Sequence, residues 1–375
     1  MKIALVHDYI KEYGGAERVL ESLHEIWPEA PVYTTVYLPE FLGPHRKRFE
    51  DWNIIPSRLQ KIPFIHKLIS PVRLFTTGVF KDWDFSGFDV VFVSATGAYF
   101  PNMIVTKSPI LHICYCHTPP RYLYGYPTAR NWQKHALGRL MGGFFNHSLR
   151  QTDFVSYQRP DYIIANSVEV KSRIQKFYRR DSSVIYPPVE IPKNKEHVTN
   201  NKKEKYYLTG GRLARAKRVD LIIQACNRLR LSLKVYGRAF ADYGEELKSI
   251  AGPTIEFVGE IDDQKLAKLY QNARAFLYSS EYEDFGIVPV EAQGFGVPVI
   301  GFGQSGVKET VIDGKTGVLF DKPTVESLIK AIKGLQKLKI KPQDCITNAQ
   351  KYNKERFKRE IKNFVESKFK EQKNR

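Results

Sequence analysis

The chain has 375 residues, of which 42% are hydrophobic and 13% aromatic. This length suits two domains of about 150–200 residues each, and the composition excludes a chain that is disordered throughout. The formal net charge is +18. The basic residues are spread over both halves, without the aromatic-interleaved basic stripe of nucleic-acid-binding modules. An anionic lipid or a phosphorylated acceptor is therefore a reasonable partner, and a solvated basic surface without a partner is the alternative.

Cysteine content and hydropathy indicate the compartment. The four cysteines do not suggest a disulfide framework, which fits a reducing cytosol. The apolar run at residues 1–10 is too short for a signal peptide, and no run approaches the roughly 18 apolar residues of a membrane span. We expect a cytoplasmic protein that is either free or bound peripherally to the inner face of the cytoplasmic membrane.

The hydrophobic pattern predicts alternating strands and helices in both halves of the chain. In the first half, strands are predicted at 2–7, 32–36, 90–94, 111–116 and 162–165, and helices at 16–26 and 168–178. In the second half, strands are predicted at 206–209, 233–236, 255–258, 275–278 and 299–301, and helices at 219–229, 263–272 and 288–295. Such alternation is typical of parallel, doubly wound sheets, so we expect an α/β protein with two Rossmann-like domains.

A change of composition marks the boundary between the two predicted domains. Residues 186–192 are rich in proline, and residues 193–205 are mostly polar and charged. Proline stiffens a connection and charge keeps it solvated, so the boundary is predicted near residue 188. Two Rossmann-like halves that face each other would form a cleft, the usual place for ligands in such sheets.

Glycine and basic residues follow the predicted strand at 206–209. Gly210 and Gly211 allow close backbone approach, while Arg212 and Lys217 offer a planar fork and a point charge to a diphosphate. The segment matches neither the Walker pattern nor G-x-G-x-x-G, so NTP hydrolysis and dinucleotide binding are poorly supported. A solvated basic loop would have the same sequence, and the interpretation depends on a second segment of the same domain.

That second segment places two carboxylates, Glu283 and Glu291, eight positions apart across a glycine turn. Apolar residues precede the turn, as in a buried strand, and a helix is predicted after it. In a strand–turn–helix unit, the backbone N–H groups of the first helical turn attract phosphate or a polar sugar. A ligand along the helix start would therefore be held at two sets of hydroxyls.

Two segments of the first half are further candidates for ligand contacts. Gly14 and Gly15 connect the first predicted strand to the first helix, where backbone N–H groups are available, although an ordinary connection has the same composition. His117 follows the strand at 111–116 and precedes a proline-stiffened loop. A lone histidine is more often structural, but this location favours a side chain that points into the crevice.

Together these segments resemble the family 4 (group 1) retaining glycosyltransferases of the GT-B fold, in which two Rossmann-like doubly wound domains face each other across a cleft. The chain is most similar to the mannosyltransferase-like branch used in O-antigen and exopolysaccharide assembly. The matching segments span nearly the whole chain: 14–17, 116–122, 165–167, 184–189, 211–213 with Lys217, 283–286 with 291–292, 296–300 and 314–317. The Glu-x7-Glu element is highly specific in this context, whereas the Gly-Gly loop alone is not.

The resemblance implies a role for each domain. Residues 1–188 would bind the acceptor, and residues 189–350 would bind the nucleotide-sugar donor. A C-terminal helix at 351–375 would pack back on the first domain.

The resemblance also implies the site residues. Arg212 and Lys217 would hold the donor diphosphate and stabilise negative charge as the nucleotide leaves. Glu283 would bind the hydroxyls of the donor sugar and Glu291 those of the ribose, with His117 near the reaction centre. Of these five, all but Glu291 would take part in catalysis. The remaining donor contacts are glycines, backbone groups and a loop residue near the base: Gly14, Gly15, Ile261, Phe285, Gly286 and Ile287.

The family implies transfer of a hexose with retention of configuration, by front-face attack in which the leaving phosphate assists deprotonation of the acceptor. No enzymatic nucleophile is expected; Glu283 is the candidate by chemistry alone, and its expected role is binding. Mannose from GDP-mannose is the favoured donor, and a glycan or a polyprenyl-diphosphate-linked saccharide is the expected acceptor. No metal or other cofactor is expected.

Several alternatives stay open. The donor could be a UDP-sugar, and the reaction could be a base-catalysed inverting transfer. A sugar-nucleotide epimerase of the same fold and a binding protein without turnover are alternatives from other classes. The complete set of Arg212, Lys217, Glu283 and Glu291 argues against the binding protein, and the Phe-Gly turn between the glutamates argues against the epimerase.

Two possible metal sites are rejected. Two segments are kept as candidates for contact with a membrane. Asp82-Trp83-Asp84 has the form found in metal-dependent transferases, but no strand precedes it. Cys114 and Cys116 lie beside His117, but a fourth ligand is missing. Residues 61–81 and 134–150 mix basic and large apolar side chains, as expected either of a core helix or of a surface that docks on an anionic leaflet.

Overall fold

The structure is a computed structural model that describes residues 1–128, 136–192, 206–240 and 242–374, without the side chains of 136–144. Contacts between residues divide the chain into two compact units. Residues 1–125, 136–188 and 355–374 belong to the first unit, and the second is built mainly from residues 189–354. The polar part of the predicted boundary, 193–205, lies outside the described residues.

A parallel sheet with helical connections forms the first unit. Its strands are β1 (Ile3–His7), β2 (Val32–Thr34), β3 (Ile54–Pro56), β4 (Val90–Ala95), β5 (Leu111–Cys116), β6 (Tyr162–Ala165) and β7 (Ser183–Val184). Its helices before the second unit are α1 (Gly15–Ile26), α2 (Ile65–Leu68), α3 (Thr76–Phe80), α4 (Ala136–Gln158) and α5 (Val168–Tyr178). The strands pair in the order β3-β2-β1-β4-β5-β6-β7. Because the order reverses beside β1, the carboxyl ends of β1 and β4 form a topological switch point.

The second unit repeats this arrangement. Its strands are β8 (Tyr206–Gly210), β9 (Leu233–Tyr236), β10 (Ile255–Gly259), β11 (Ala273–Tyr278), β12 (Val299–Phe302) and β13 (Gly317–Phe320), in the order β10-β9-β8-β11-β12-β13. Its helices are α6 (Val219–Leu229), α7 (Tyr243–Ser249), α8 (Asp263–Asn272), α9 (Ile287–Gly294), α10 (Val307–Thr310), α11 (Val325–Lys337) and α12 (Pro342–Gln350). The switch point of this sheet lies between β8 and β11.

The C-terminal helix α13 (Lys354–Lys373) contributes to the core of the first unit. Phe357, Ile361 and Val365 are fully buried and recur every four residues, so they form one apolar stripe. The stripe belongs to the hydrophobic cluster that contains Ile3 and Leu5 of β1.

These two doubly wound units confirm the predicted α/β fold class with two Rossmann-like domains. The strand at 111–116 and the helices at 168–178, 219–229 and 263–272 have the predicted bounds. The helix predicted at 288–295 begins one residue earlier, because Gly286 adopts a left-handed conformation and serves as its N-cap. The short strands β3, β7 and β13 were not predicted, because two to four residues are too few to show a periodicity.

Candidate active site

Glycines let two loops of the second unit approach each other at the carboxyl end of its sheet. Gly211 follows β8 with a φ of 103°, which L-residues rarely adopt. A Cβ atom on Gly237, which follows β9, would lie 1.9 Å from the carbonyl oxygen of Gly211. The glycines at these strand ends therefore allow the backbones of the two loops to lie against each other, while the predicted approach to a diphosphate stays a prediction.

The turn that carries Lys217 is anchored by the loop after β11. The Ser279 hydroxyl lies 2.9 Å from the carbonyl oxygen of Lys217 and 2.6 Å from that of Arg218. The Glu281 amide donates to the carbonyl oxygen of Ala216 at 2.9 Å. Arg218 has a φ of 49°, an unfavourable conformation for a side-chain-bearing residue, and these hydrogen bonds help to hold it. The loop after β11 therefore fixes the position of Lys217.

Lys217 and Glu283 are in direct contact. Lys217 Nζ lies 2.5 Å from Glu283 Oε2, and the same oxygen accepts hydrogen bonds from the hydroxyls of Tyr278 at 2.7 Å and Ser280 at 2.6 Å. Lys217 also donates to the Tyr278 hydroxyl at 3.0 Å. The Glu283 side chain is only 11% exposed and that of Lys217 26%, so solvent screens this pair less than a surface ion pair. The structure thus joins the cation predicted for phosphate to the carboxylate predicted for sugar hydroxyls.

Helix α9 begins four residues after Glu283. Gly286 is its N-cap with a φ of 94°, and Ile287 and Val288 occupy its first two positions, where amides have no acceptor within the helix. The third position is Pro289, which has no amide hydrogen and fits a helix start. These donors and the positive end of the helix dipole suit a phosphate or sugar oxygen.

The other two predicted residues of this segment are buried. Glu291 is the fifth residue of α9 and is 7% exposed. Phe285 is 2% exposed, and its ring packs against Tyr352 with the centroids 5.2 Å apart. The Phe285 side chain therefore belongs to the core, and only its backbone fits the predicted ligand contact.

Two predicted donor contacts lie on other loops of the second unit. Arg212 is exposed and directly follows Gly211 at the end of β8. Ile261 follows β10 and packs, half-buried, on the hydrophobic cluster that contains Tyr236. The structure thus places Arg212 at a carboxyl end of the central part of the sheet and Ile261 at its edge strand.

Gly14 and Gly15 start α1 in the first unit. Gly14 is the N-cap, and its amide donates to Glu17 Oε2 at 2.8 Å, so that a side chain of the same helix already occupies this donor. Gly15 is the first helical residue and is exposed. Of the two predicted glycines, Gly15 therefore has the amide better suited to a ligand.

His117 directly follows β5 and is 8% exposed. Its Nε2 lies 2.9 Å from the hydroxyl of Ser94 on β4, and its amide donates to the carbonyl oxygen of Ala95 at 2.9 Å. Burial, together with the neighbouring His7, lowers the pKa of His117 to about 3. At neutral pH the ring is therefore uncharged, with one donor and one acceptor nitrogen.

Asp8, which follows β1, was missed in the sequence. Its side chain is fully buried, and Oδ2 accepts hydrogen bonds from the Thr96 hydroxyl and, at 2.6 Å, from the Thr96 amide. Burial raises the pKa of this carboxyl, against the opposing effects of His7 and Thr96. The contact ties the loop after β4 to the end of β1 at the switch point.

The supporting side chains of the predicted residues were missed as well. Tyr278 and Ser280 bond Glu283, and Ser94 bonds His117. Each lies at or near the carboxyl end of a strand, and this position is the signal that could have found them.

The side chains of the two rejected metal sites bond to other residues. Cys114 accepts from the Asn102 amide nitrogen at 3.3 Å and Cys116 from the Tyr157 hydroxyl at 3.1 Å. Asp82 pairs with an arginine and Asp84 bonds the hydroxyl of a nearby serine. Within the described ranges, no group of three or more His, Cys, Asp or Glu residues could hold a metal ion.

The two Rossmann-like units define a doubly wound α/β protein, and comparison with family models identifies its family. Residues 190–352 match the model described as "Glycosyl transferases group 1", and residues 13–192 match "Glycosyltransferase Family 4". The two matches overlap at residues 190–192 and leave only residues 1–12 and 353–375 unmatched. The chain belongs to the family 4 (group 1) glycosyltransferases and is a glycosyltransferase of the GT-B type.

Similar proteins differ in the sugar named in their descriptions. Alpha-1,3/1,6-mannosyltransferase ALG2 of Candida glabrata is 26% identical over 380 residues, which cover 83% of this chain and 78% of the relative. Sulfoquinovosyl transferase SQD2 of Arabidopsis thaliana is 23% identical, covering 87% of this chain and 61% of the relative. Glycogen synthase of Thermus thermophilus is 29% identical over 134 residues, which cover 34% of this chain and 31% of the relative.

Solved structures share the fold at low identity. Sucrose-phosphate synthase of Thermosynechococcus elongatus has a TM-score of 0.74 at 17% identity, covering 98% of this chain and 99% of the other. HepE of Anabaena, in complex with UDP and glucose, has a TM-score of 0.73 at 19% identity, with 98% and 100% covered. The lipopolysaccharide outer core galactosyltransferase WaaB has a TM-score of 0.67 at 17% identity, with the same coverage.

Proposed function

We propose that this glycosyltransferase moves a hexose from a nucleotide sugar to a glycan or a polyprenyl-diphosphate-linked saccharide in cell-surface polysaccharide assembly. Mannose from GDP-mannose is the favoured donor. The observation that carries the proposal is the contact of Lys217 with Glu283, 2.5 Å long, just before the start of α9. It sets a phosphate-binding cation beside a sugar-binding carboxylate, as a nucleotide sugar requires. The similarity to a mannosyltransferase over 83% of the chain supports mannose.

Each predicted residue has a role in this proposal. Arg212 and Lys217 hold the diphosphate, Glu283 holds hydroxyls of the sugar, Glu291 holds those of the ribose, and His117 contacts the sugar near its reacting carbon. The backbone of Phe285, Gly286 and Ile287 donates to the sugar, Gly14 and Gly15 lie near the phosphates, and Ile261 borders the base. No metal or other cofactor takes part.

The transfer proceeds with retention of configuration. The bond from the anomeric carbon to the diphosphate oxygen breaks while the acceptor oxygen bonds the same face of that carbon. The proton of the acceptor hydroxyl passes to the leaving phosphate, so no protein base is consumed. The positively charged side chains of Arg212 and Lys217, beside the diphosphate, stabilise the negative charge that develops on the leaving group. NMR analysis of the product anomer tests this step, and an inverted product would contradict it.

A thermal-shift screen of GDP- and UDP-sugars tests the donor. A bound ligand stabilises the folded state by mass action, so GDP-mannose is expected to raise the melting temperature of the wild type. The Glu291→Ala variant is the control, and it should lose most of the shift. If no nucleotide sugar stabilises the wild type, the donor proposal fails.

UDP-sugars are the second candidate donor. The specific support is HepE, whose solved complex contains UDP and glucose and whose fold matches across 98% of this chain. Stabilisation by a UDP-sugar and not by GDP-mannose would select this alternative. Turnover without transfer to an acceptor would point to an epimerase, and binding without any turnover to a non-catalytic protein.

We also propose that residues 61–81 contact an anionic membrane surface, which would bring a cytoplasmic enzyme to a lipid-linked acceptor. Phe64 is 71% exposed, Phe75 68% and Leu74 43%, and Lys61 and Lys67 are exposed nearby. Exposed aromatic rings among lysines suit the interface of an anionic leaflet. Along the described part of the chain, no helix combines the length and the apolarity needed to cross a bilayer. In the second candidate segment, 134–150, the side chains up to residue 144 lie outside the described residues.

A further inference from the structure

Three buried polar side chains extend from His117 across the first unit. The Ser94 hydroxyl lies 2.9 Å from His117 Nε2 and 3.1 Å from Nδ1 of His7. Nε2 of His7 lies 3.9 Å from Glu17 Oε1, and the other Glu17 oxygen accepts from the Gly14 amide. All four side chains are at least 90% buried. They form a continuous polar row from the start of α1, across the ends of β1 and β4, to the end of β5.

The hydrogen atoms along this row are not independent. A serine hydroxyl has one hydrogen to donate, whereas a neutral imidazole has one N–H and one bare nitrogen. Because Ser94 bonds one nitrogen of each ring, it can donate to only one of them. The other ring must donate to Ser94, so the tautomers of His7 and His117 are coupled.

With both rings neutral two arrangements are possible, and Glu17 breaks the symmetry between them. In the first, His7 carries its hydrogen on Nε2, towards the Glu17 carboxylate, and Ser94 donates to the bare Nδ1 of His7. In the second, the bare Nε2 of His7 faces the carboxylate, and two negative partial charges oppose each other with little solvent between them. The first arrangement is lower in energy, and it requires that His117 donate to Ser94 through Nε2–H.

We propose that Glu17 acts through His7 and Ser94 to hold His117 in its Nε2–H tautomer, which leaves Nδ1 as a hydrogen-bond acceptor. Among the described residues, no protein donor reaches this Nδ1. An acceptor at this atom suits a hydroxyl group of a sugar. That last step rests on the proposed function, in which His117 contacts substrate. Glu17, His7 and Ser94 are positioning residues.

The nitrogen chemical shifts of the His117 ring test the tautomer without any substrate. The spectrum of 15N-histidine-labelled wild-type protein at neutral pH is expected to show a protonated Nε2 and a bare Nδ1, assigned by comparison with the His117→Gln variant. The opposite pattern would overturn the inference and would leave the proposed transferase activity untouched.

Glu17→Gln gives the sharper result. The amide oxygen can keep the bond from Gly14, while the amide NH2 faces Nε2 of His7, where its partial positive charge favours a bare nitrogen. His7 then carries its hydrogen on Nδ1 and donates to Ser94, and the Ser94 hydroxyl donates to His117. We expect His117 to invert to the Nδ1–H form, although Glu17 lies one hundred residues away. An unchanged His117 tautomer in a folded Glu17→Gln protein would contradict the relay.

Ser94 variants provide the matched set. Ser94→Ala is expected to uncouple His117 from Glu17, and Ser94→Thr, which keeps the hydroxyl, should restore the wild-type spectrum. Ser22→Ala removes another buried hydroxyl of the same unit, one that bonds only within α1, and should leave the His117 shifts in place. If the donor assay succeeds, Glu17→Gln and Ser94→Ala should lower kcat about 10-fold, as expected for one misdirected hydrogen bond. Loss of all activity with an unaltered tautomer would contradict a positioning role.

Discussion

At Glu283, a single carboxylate oxygen is in contact with an ammonium group and two hydroxyl groups. Tyr278 contributes most to the geometry, because its hydroxyl donates to Glu283 and accepts from Lys217. The Tyr278 side chain is 4% exposed and ends β11, so the hydroxyl has a fixed position. Lys217 and Glu283, which we propose bind phosphate and sugar, are therefore positioned by a side chain that neither proposed role requires.

Tyr278→Phe removes this hydroxyl and keeps the ring. We expect kcat/KM to fall about 10- to 100-fold, because a hydrogen bond to charged groups contributes about 1.5–3 kcal/mol. The control is Tyr207→Phe, since the Tyr207 hydroxyl is buried with no hydrogen-bond partner among the described residues. Its removal should leave kinetics unaltered. Equal kinetics for wild type and Tyr278→Phe would show that the hydroxyl does not position the pair.

Asp153 of α4 is a buried carboxyl group outside the candidate site. Its Oδ2 accepts from the hydroxyls of Tyr124 and Tyr178, each at 2.8 Å, while Oδ1 has no partner in the described ranges. Burial raises the pKa of Asp153 to about 7, against the lowering effect of the two hydrogen bonds. In the unfolded chain the same group ionises near its ordinary value of 3.8. The unfolded state therefore loses this proton at a lower pH than the folded state does.

The pH dependence of stability follows from this difference. Below pH ~4 both states hold the proton, and as pH rises towards 7 the ionised unfolded state is favoured, so Asp153 lowers stability progressively. Between pH 5 and 7 the loss is about 2–3 kcal/mol. In urea unfolding of Asp153→Asn, this contribution of about 2–3 kcal/mol to the change in the free energy of unfolding between pH 5 and 7 should be absent. Asp181→Asn, at an exposed carboxyl whose pKa is lowered by its bonds to Lys171 and the Ser182 amide, should keep the wild-type slope. An equal slope in Asp153→Asn would refute the assignment.

The site residues divide into those that spacing predicts and those that it does not. Lys217 and Glu283 could be found because each belongs to a local pattern of glycine and charge. For Tyr278, Ser94 and His7 the sequence gives only a position at or near the carboxyl end of a strand, because their hydrogen-bond partners depend on which strands are neighbours. β1 pairs with β4 and β4 with β5, although long stretches of chain separate them, and a local pattern carries no record of that order.

At the scale of elements, α13 shows how a helix of mostly charged residues becomes part of a core. Its stripe of Phe357, Ile361 and Val365 is fully buried, and Arg356 donates to the carbonyl oxygen of Tyr186 at 2.9 Å. Helix α13 therefore completes the core of the first unit, although the residues of the second unit precede it in the sequence.

Phe357→Ala is expected to lower the free energy of unfolding by about 3–5 kcal/mol, because it leaves a cavity in a packed cluster. Chemical denaturation measures the change. Asn363→Ala, on the exposed face of the same helix, should change stability by less than about 0.5 kcal/mol. A small effect of Phe357→Ala would mean that α13 does not pack in the first unit in solution.

The whole molecule combines a net charge of +18 with exposed aromatic residues in one segment of the first unit. Within residues 61–81, Ile65, Val72 and Val79 belong to the core, while Phe64 and Phe75 do not. The sequence left open whether this segment is core or membrane surface, and the structure shows side chains suited to each.

Co-sedimentation with phosphatidylglycerol vesicles tests membrane contact. We expect binding at low salt that weakens at high salt, because exposed charges are screened. The double variant Phe64→Ser, Phe75→Ser should bind several-fold more weakly, since it removes two apolar anchors. Val168→Ser, at a residue of the same unit that is 50% exposed, is the control. No binding of wild type to anionic vesicles would reject the proposal.

The sequence predicts more of the fold than of the candidate site. Runs such as 111–116 and 275–278 are apolar enough to predict buried parallel strands, and the alternation with helices predicts two doubly wound units. Edge strands such as β7 were not predicted, because their two or three residues pair on one side only and need little hydrophobic character.

We propose that Glu283 binds the hexose and Glu291 the ribose of one nucleotide sugar. Titration calorimetry of GDP-mannose and of GDP alone, on wild type and two variants, tests it directly, with the UDP pair used instead if the screen selects UDP. Glu291→Ala should weaken both ligands, because the ribose is common to them. Glu283→Gln should weaken GDP-mannose about 10-fold or more and leave GDP at least as tight, because Lys217 loses its competing carboxylate. Equal weakening of GDP and GDP-mannose by Glu283→Gln would show that Glu283 does not bind the hexose. Unchanged binding of both ligands by Glu291→Ala would show that Glu291 does not bind the ribose.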